Sequence, residues 1–148
     1  MGRAFVAPEP LDGVMTRDSK TMGRGVVLLV EDELLLREMA ADALAERGFA
    51  VVAVASGEEA LQYLLVGHLA DALFTDIHLA GEMDGSTLVT LARQLRPELP
   101  VVYTSGNALP EQIKPVSGSI FVAKPYNPAA IAQTLKGLID ATQAAACA

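Results

Sequence analysis

The chain has little cysteine, few basic residues and no long apolar run, and each shortage excludes a class of protein. Its one cysteine, Cys147, cannot form an intramolecular disulfide, so a reducing, cytoplasmic location fits best. Eleven Lys and Arg residues face eighteen Asp and Glu residues, and the formal net charge of −7 argues against nucleic-acid binding. No apolar run approaches the roughly 20 residues of a membrane span, and we see no secretory signal, so we expect no membrane contact.

Length and local composition predict one domain. A chain of 148 residues is long enough to bury a real core. Residues 1–23 mix Pro, Gly, Met and both charge signs without periodicity, which is typical of a flexible extension. We expect one domain over residues 24–142, followed by a short tail over 143–148.

From residue 25 onward, short β-like runs alternate with helical ones, which indicates βαβ units and a parallel sheet. Five strands with helices on both faces predict a doubly wound, flavodoxin-like (βα)5 sheet in the order 2-1-3-4-5. Apolar residues at helical spacing predict buried faces that include Leu65 in the second helix and Leu95 in the third. The predicted strands cover 26–30, 49–55, 71–75, 99–104 and 120–123, and the helices cover 33–47, a segment after Ser56, 86–96 and a segment from Pro128.

The interval between the fourth and fifth strands predicts a reduced fourth helix. Residues 107–119 contain Pro110, Pro115 and Gly118 and few apolar positions. Proline and glycine both disfavour a helix interior, so a full helix fits poorly. We expect a short helical turn or a loop there.

Polar residues follow four of the predicted strands at the point where each strand ends. They are the pair Glu31-Asp32, then Asp76, then Ser105, and then Lys124. Ligands of an open parallel sheet bind beyond the carboxyl ends of its strands, so these side chains are expected to meet at one site. Carboxylates that can hold Mg²⁺, a lone aspartate, a hydroxyl and a lysine are suited to phosphoryl transfer.

Each of these residues also has an ordinary interpretation when it is taken alone. Asp76 could cap a helix, Glu31, Asp32 and Glu33 could form an acidic first helical turn, and Lys124 could be a solvated lysine before a turn. The occurrence of all four motifs after successive apolar strands favours the functional interpretation.

This order of motifs resembles the receiver domain of two-component response regulators over roughly residues 24–142. The resemblance implies that Asp76 accepts a phosphoryl group from a phosphohistidine of a histidine kinase or a histidine phosphotransferase. It also implies that Asp32, Asp76 and the backbone carbonyl of His78 bind Mg²⁺, or Mn²⁺, directly. Glu31 is then expected to act on the metal through water.

The resemblance assigns roles to further residues. Lys124 is expected to neutralise the phosphoryl oxygens, with a cis peptide bond to Pro125. Ser105 is expected to be the switch hydroxyl, with Thr104 as an adjacent competitor. Phe121 lies three residues before Lys124, where the family carries an aromatic side chain that changes rotamer together with the switch hydroxyl.

Two more sets of positions follow from the resemblance. The side chains of His78 and Asn107 are expected to tune the rate at which the phosphoryl group is hydrolysed, although a plain loop role fits His78 as well. A kinase is expected to dock on the first helix and on the loop after Lys124, at Leu34, Leu35, Glu38 and Tyr126.

The sequence therefore predicts a stand-alone, single-domain regulator with a shortened fourth helix. Its output is expected to be a protein contact or the flow of phosphate, as relay or sink, rather than enzymatic turnover. One alternative is an interaction scaffold of the same fold that does not depend on phosphorylation. Another is a phosphohydrolase with an Asp nucleophile, but such enzymes carry a second Asp two residues after the first, where this chain has His78.

Overall fold

Five parallel strands form one sheet in the order β2-β1-β3-β4-β5. The computed structural model describes residues 23–106 and 115–147 of the chain. The predicted flavodoxin-like fold class and strand order are confirmed, with four helices in the described residues. The elements are β1 (Gly25–Val30), α1 (Leu34–Glu46), β2 (Phe49–Val54), α2 (Gly57–Leu65), β3 (Ala72–Asp76), α3 (Gly85–Leu95), β4 (Val101–Ser105), β5 (Ser119–Ala123) and α4 (Pro128–Cys147).

Helices cover both faces of the sheet, which explains why the central strands are apolar up to their carboxyl ends. Every residue of β1 is buried, in a run that reads Gly-Val-Val-Leu-Leu-Val. On the α2/α3 face, Leu64 and Leu88 pack against inward side chains such as Leu28. On the α1/α4 face, Leu44 and Leu135 pack against the alternate residues of the same strands. The sheet is therefore the middle of three layers.

The strand register brings the carboxyl ends of four strands to one edge. Val30 of β1 lies opposite Thr75 of β3, so Glu31 and Asp76 follow at the same level. Asp76 lies opposite Thr104 of β4. Ser105 lies opposite Ala123 of β5, and Lys124 follows directly. The polar residues that end these strands are thus neighbours in space.

Local signals define where α2 and α3 begin. The Ser56 hydroxyl accepts a hydrogen bond from the Glu59 N–H at 3.1 Å, and the Glu59 carboxylate accepts from Ala55 N–H at 3.3 Å. Asp84 caps α3, since its Oδ1 accepts from the Thr87 N–H at 2.9 Å.

Two predicted core positions are wrong. Leu65 and Leu95 are both exposed. Each is the last residue of its helix. Helical spacing predicts the direction in which a side chain points, but burial also requires another part of the chain to pack over it. At the C-terminal end of the chain, α4 continues through Cys147, over residues that the sequence assigned to a tail.

The reduced fourth helix was predicted for residues 107–119. Of these, 107–114 lie outside the described residues, and the described stretch 115–118 contains no helix. Most of the predicted extension over residues 1–23 also lies outside. Among the residues that the structure does describe, no helix is both long and apolar enough to cross a membrane.

Candidate functional site

The Lys124 ammonium group links the ends of two other strands. Its Nζ lies 2.7 Å from Asp76 Oδ2 and 3.3 Å from Glu31 Oε1. Asp76 retains 7% of its accessible surface and Glu31 retains 4%, so both carboxylates are withdrawn from bulk water. The structure thus brings together three of the residues that the sequence placed at one site.

Backbone N–H groups hold the remaining carboxylate oxygens. Asp76 Oδ1 accepts a hydrogen bond from the N–H of His78 at 3.0 Å, and Glu31 Oε2 accepts from the Glu33 N–H at 3.2 Å. The third carboxylate, that of Asp32, accepts from the N–H of Ala80 at 2.7 Å. Because these donors belong to the chain itself, the three carboxylates have defined orientations before any ligand binds.

Burial and charge shift two pKa values at the site. Burial raises the pKa of Glu31, and the nearby charge of Asp76 adds to that rise, against the opposing effects of the Glu33 N–H and Lys124. Burial by itself would lower the pKa of Lys124, but its hydrogen bonds and ionic contacts with Asp76 and Glu31 outweigh this, and the pKa is raised. Lys124 therefore remains an ammonium group at neutral pH.

The backbone around the site is tied together across strands. The Lys124 N–H donates to the Ser105 carbonyl at 2.8 Å, and the Lys124–Pro125 peptide bond is cis, as the resemblance implies. The N–H of Ile77 donates to the Thr104 carbonyl at 2.9 Å. These bonds fix the position of Asp76 relative to the two residues that end β4.

Gly85 is a residue that the sequence analysis did not select. Its N–H donates to the Ile77 carbonyl at 2.7 Å, and a Cβ added there would lie 2.1 Å from the Asp76 carbonyl oxygen. The first residue of α3 therefore supports the backbone directly after Asp76. The Asp84-Gly85 pair before the helical run was the available signal, but it predicts a helix start and does not reveal this contact.

The two expected switch residues lie on the same side of the sheet. Side chains alternate along a strand, so Ser105 points to the α2/α3 face together with Tyr103. Phe121 lies opposite Tyr103 in the register, is half-buried and packs against the core of that face. The structure is thus compatible with a coupled movement of Ser105 and Phe121. Asn107, the second expected rate-tuning residue, lies outside the described residues.

One of the expected docking positions, Tyr126, lines a groove between α1 and the start of α4, and the other three lie on α1 outside the lining of that groove. Leu34 and Leu35 are 58% and 66% exposed, and Glu38 is exposed beside them. Tyr126 is half-buried, and its ring packs edge-on against Phe74 with 5.5 Å between ring centroids. The groove has a volume of about 730 Å³ and includes Lys124 in its wall. Met39 also lines it and is exposed, although the sequence analysis did not select it.

The donor chemistry of the site suits a hard cation. Asp32, Asp76 and the carbonyl of His78 offer oxygen atoms, which Mg²⁺ prefers. Glu31 and Asp76 share one ammonium group, which leaves uncompensated negative charge at the site. Within the described residues, no group of three or more His, Cys, Asp or Glu side chains is gathered around a common point as a ready metal site. The residue types therefore fit the ion, while the carboxylates are arranged around Lys124 and backbone N–H groups.

The pairing of Asp76 with Lys124 at the carboxyl edge of a parallel α/β sheet is the arrangement that the resemblance to receiver domains implies. The profile of the response regulator receiver domain matches residues 27–136. The chain belongs to this family, and the resemblance seen in the sequence is confirmed.

Similar proteins include both kinases and regulators. Over 122 residues the chain is 33% identical to the sensor kinase CckA of Brucella abortus, covering 80% of this chain and 13% of that protein. Over 108 residues it is 34% identical to the response regulator protein FleR of Pseudomonas aeruginosa, covering 71% of this chain and 22% of that protein. The chain thus spans only a small part of these relatives.

Solved structures show the same relationship. The receiver domain from the hybrid histidine kinase CckA is 34% identical, with a TM-score of 0.67 over 78% of this chain and 99% of that one. A response regulator receiver protein from Sinorhizobium medicae WSM419 is 30% identical, with a TM-score of 0.68 over 79% of this chain and 95% of that one.

Proposed function

We propose that Asp76 accepts a phosphoryl group from a phosphohistidine on a histidine kinase or a histidine phosphotransferase. The observation that carries this proposal is the 2.7 Å contact between Asp76 Oδ2 and Lys124 Nζ at the carboxyl edge of a receiver sheet. In the transfer, an Asp76 carboxylate oxygen forms the bond to phosphorus while the phosphorus–nitrogen bond breaks. The imidazole nitrogen keeps the electron pair, and Lys124 offsets the charge of the phosphoryl oxygens.

The reaction is proposed to depend on Mg²⁺, or on Mn²⁺ in its place. Asp32, Asp76 and the His78 carbonyl would hold the ion directly, and Glu31 would act through water. The bound ion would supply further neutralisation of charge on the phosphoryl oxygens. Support comes from the oxygen-only donor set and from the sharing of one lysine by two buried carboxylates.

Phosphorylation is proposed to change the surface through Ser105 and Phe121. Ser105 is fully buried and Phe121 half-buried on the same α2/α3 face, so a turn of the hydroxyl towards the phosphoryl group would open space near the aromatic ring. The output is then a protein contact, or onward transfer of the phosphoryl group as relay or sink. The stand-alone role and the cytoplasmic location expected from the sequence stay predictions.

The phosphodonor protein is proposed to dock on Leu34, Leu35 and Glu38 of α1 and on Tyr126. Tyr126 lines the same groove as Lys124, and the two leucines of α1 expose apolar surface that a partner would cover. A donor bound there would bring its phosphohistidine to the edge of the sheet where Asp76 lies.

Two rival functions make different predictions. A scaffold that is independent of phosphorylation would not require Asp76, Lys124 and Glu31 to be paired at the sheet edge. A phosphohydrolase would turn over added phosphoesters, whereas we propose that this protein catalyses only its own phosphorylation and dephosphorylation. The residue two positions after Asp76 is His78, whose exposed side chain is not the carboxylic acid that such hydrolases use.

The test is intact-mass analysis after incubation with acetyl phosphate, with and without Mg²⁺. We expect one added phosphoryl group on the wild type in the presence of Mg²⁺, none on Asp76→Asn, and a normal adduct on Asp140→Asn. Asp140 is a matched control because it is an exposed aspartate on α4, paired only with Lys136 in the described structure. If the folded wild type forms no covalent adduct and also fails to bind beryllofluoride, the proposal is overturned in favour of the scaffold.

A further inference from the structure

The Thr104 hydroxyl is buried at the phosphoacceptor site and makes no hydrogen bond with the described residues. Thr104 keeps 3% of its accessible surface, and its Oγ1 has no hydrogen-bond partner among residues 23–106 and 115–147. A buried hydroxyl left unpaired costs free energy, and most buried polar groups in proteins have a partner. A valine, which has nearly the same shape, would avoid that cost, so the hydroxyl calls for an explanation.

The register places Thr104 beside Asp76. Thr104 lies opposite Asp76 on the adjacent strand, and neighbouring strands are about 4.8 Å apart. Residues opposite each other in a parallel pair point to the same face of the sheet, here the α1/α4 face that also holds Phe74 and Val102. By the same alternation Lys124, two residues beyond Val122, lies on this face. Thr104 thus lies on the same face of the sheet as the ion pair of Asp76 and Lys124.

Thr104 and Ser105 are consequently not interchangeable. Ser105 points to the α2/α3 face, where Phe121 packs, and Thr104 points to the α1/α4 face. The Ser105 hydroxyl is expected to engage the phosphoryl oxygens. The Thr104 hydroxyl, on the face that holds the Asp76 carboxyl group, therefore has a different target. The chain therefore offers two hydroxyl groups to opposite sides of the same strand end.

We propose that Thr104 is a positioning residue for the phosphorylated state, in which its hydroxyl donates a hydrogen bond to the carboxyl group of Asp76. This inference rests on the proposed function. In the unphosphorylated structure, Asp76 Oδ1 accepts from the His78 N–H and Oδ2 accepts from Lys124 Nζ. Phosphorylation moves negative charge from the carboxylate out to the phosphoryl oxygens, and the lysine follows that charge. The Thr104 hydroxyl then takes the place that the ammonium group leaves at the carboxyl oxygen.

The test compares Thr104→Val, which removes the hydroxyl, with Thr104→Ser, which keeps it. The readouts are the affinity for beryllofluoride in the presence of Mg²⁺, the lifetime of the Asp76 adduct and the melting temperature of the unphosphorylated protein. We expect Thr104→Val to weaken beryllofluoride binding and shorten the adduct lifetime roughly three- to tenfold, as for the loss of one hydrogen bond. Its melting temperature should be unchanged or higher, and Thr104→Ser should bind beryllofluoride like the wild type.

Wild-type affinity and lifetime in Thr104→Val would overturn the inference, and so would an equal loss in Thr104→Ser, which would indicate packing rather than the hydroxyl. If Thr104→Val fails to fold, Thr104→Ala and Thr104→Ser provide the same comparison. Failure of the wild type itself to form an adduct or bind beryllofluoride would overturn the proposed function. If the wild type forms the adduct and loss of the Thr104 hydroxyl has no effect, only the role of Thr104 is overturned.

Discussion

Gly85 meets the backbone of Asp76 so closely that a Cβ on Gly85 would lie 2.1 Å from the Asp76 carbonyl oxygen. The same carbon would lie 2.8 Å from the Cα of Ile77. Both neighbours are backbone atoms, which cannot swing away as the end of a side chain can. The start of α3 and the backbone segment around Asp76 are therefore fitted to each other.

We expect Gly85→Ala to destabilise the fold by about 1–3 kcal/mol and to slow phosphorylation of Asp76, because the added carbon must displace the backbone of Asp76 and Ile77. Chemical denaturation and the acetyl phosphate assay measure the two effects. Gly137→Ala is the matched control, since a Cβ at Gly137 meets nothing within 4 Å in the described structure. It lies inside α4 and should gain about 0.5–1 kcal/mol. Equal stability of the two variants would contradict this account of Gly85.

We expect Lys124→Met to lower the free energy of unfolding at pH 7 by about 1–3 kcal/mol, because Glu31 and Asp76 lose the cation that they share. Added Mg²⁺ should recover part of that loss by replacing the missing positive charge. Urea denaturation with and without Mg²⁺ provides the measurement, and Lys136→Met on the exposed face of α4 is the control. A Lys124→Met variant as stable as Lys136→Met would show that the ion pair contributes little.

The raised pKa of Glu31 predicts a specific pH dependence. Folding favours the protonated form of Glu31, so its contribution to stability is greatest below the unfolded value of 4.5 and is lost as pH rises through the higher folded pKa. Glu31→Gln has no such titration. We therefore expect the stability of the wild type relative to Glu31→Gln to fall from about pH 4 to pH 7, measured by denaturation at several pH values. A difference that rises with pH would contradict the prediction.

Asp84 predicts the opposite pH dependence. The hydrogen bond from the Thr87 N–H, more than any other contact, lowers the pKa of Asp84. The stabilising contribution of the Asp84 carboxylate is therefore present above its unfolded pKa of 3.8 and is lost as pH falls through the lower folded pKa. We expect Asp84→Ala to cost about 1 kcal/mol at pH 7, as for the loss of a helix cap. The cost should shrink in acid. A cost that is constant between pH 7 and the acid range would show that the charged cap is not responsible.

The exposed leucines of α1 test the proposed docking surface. We expect Leu35→Ser to slow transfer from a phosphorylated histidine kinase that serves the wild type, since the partner would lose an apolar contact. Phosphorylation by acetyl phosphate, which needs no docking, should be unchanged. Leu65→Ser is the control because Leu65 is similarly exposed but ends α2. Equal transfer rates for Leu35→Ser and Leu65→Ser would place docking elsewhere.

Much of the fold could be read from the sequence because a parallel α/β sheet leaves a regular pattern. Largely apolar strands, buried on both faces except in β5, alternate with helices that have one apolar face, and this pattern predicts the order of the elements along the chain. The predicted strand ends differed from the structure by one or two residues; β4, for example, begins at Val101 rather than Leu99. Burial at the ends of the helices was harder to predict, since Leu65 and Leu95 continue the helical pattern but nothing among the described residues covers them.

The sequence by itself determined which residues could meet, because Glu31, Asp76, Ser105 and Lys124 each follow a strand and parallel strands end at one edge. Only the tertiary structure decided how they meet. The register pairs Asp76 with Thr104, and the Lys124 ammonium group lies between two carboxylates. Gly85 lies so close to the Asp76 carbonyl that no side chain would fit between them. The reason is physical: the succession of strands and helices along the chain follows from short-range apolar patterns, whereas distances between side chains depend on packing between elements far apart in the chain.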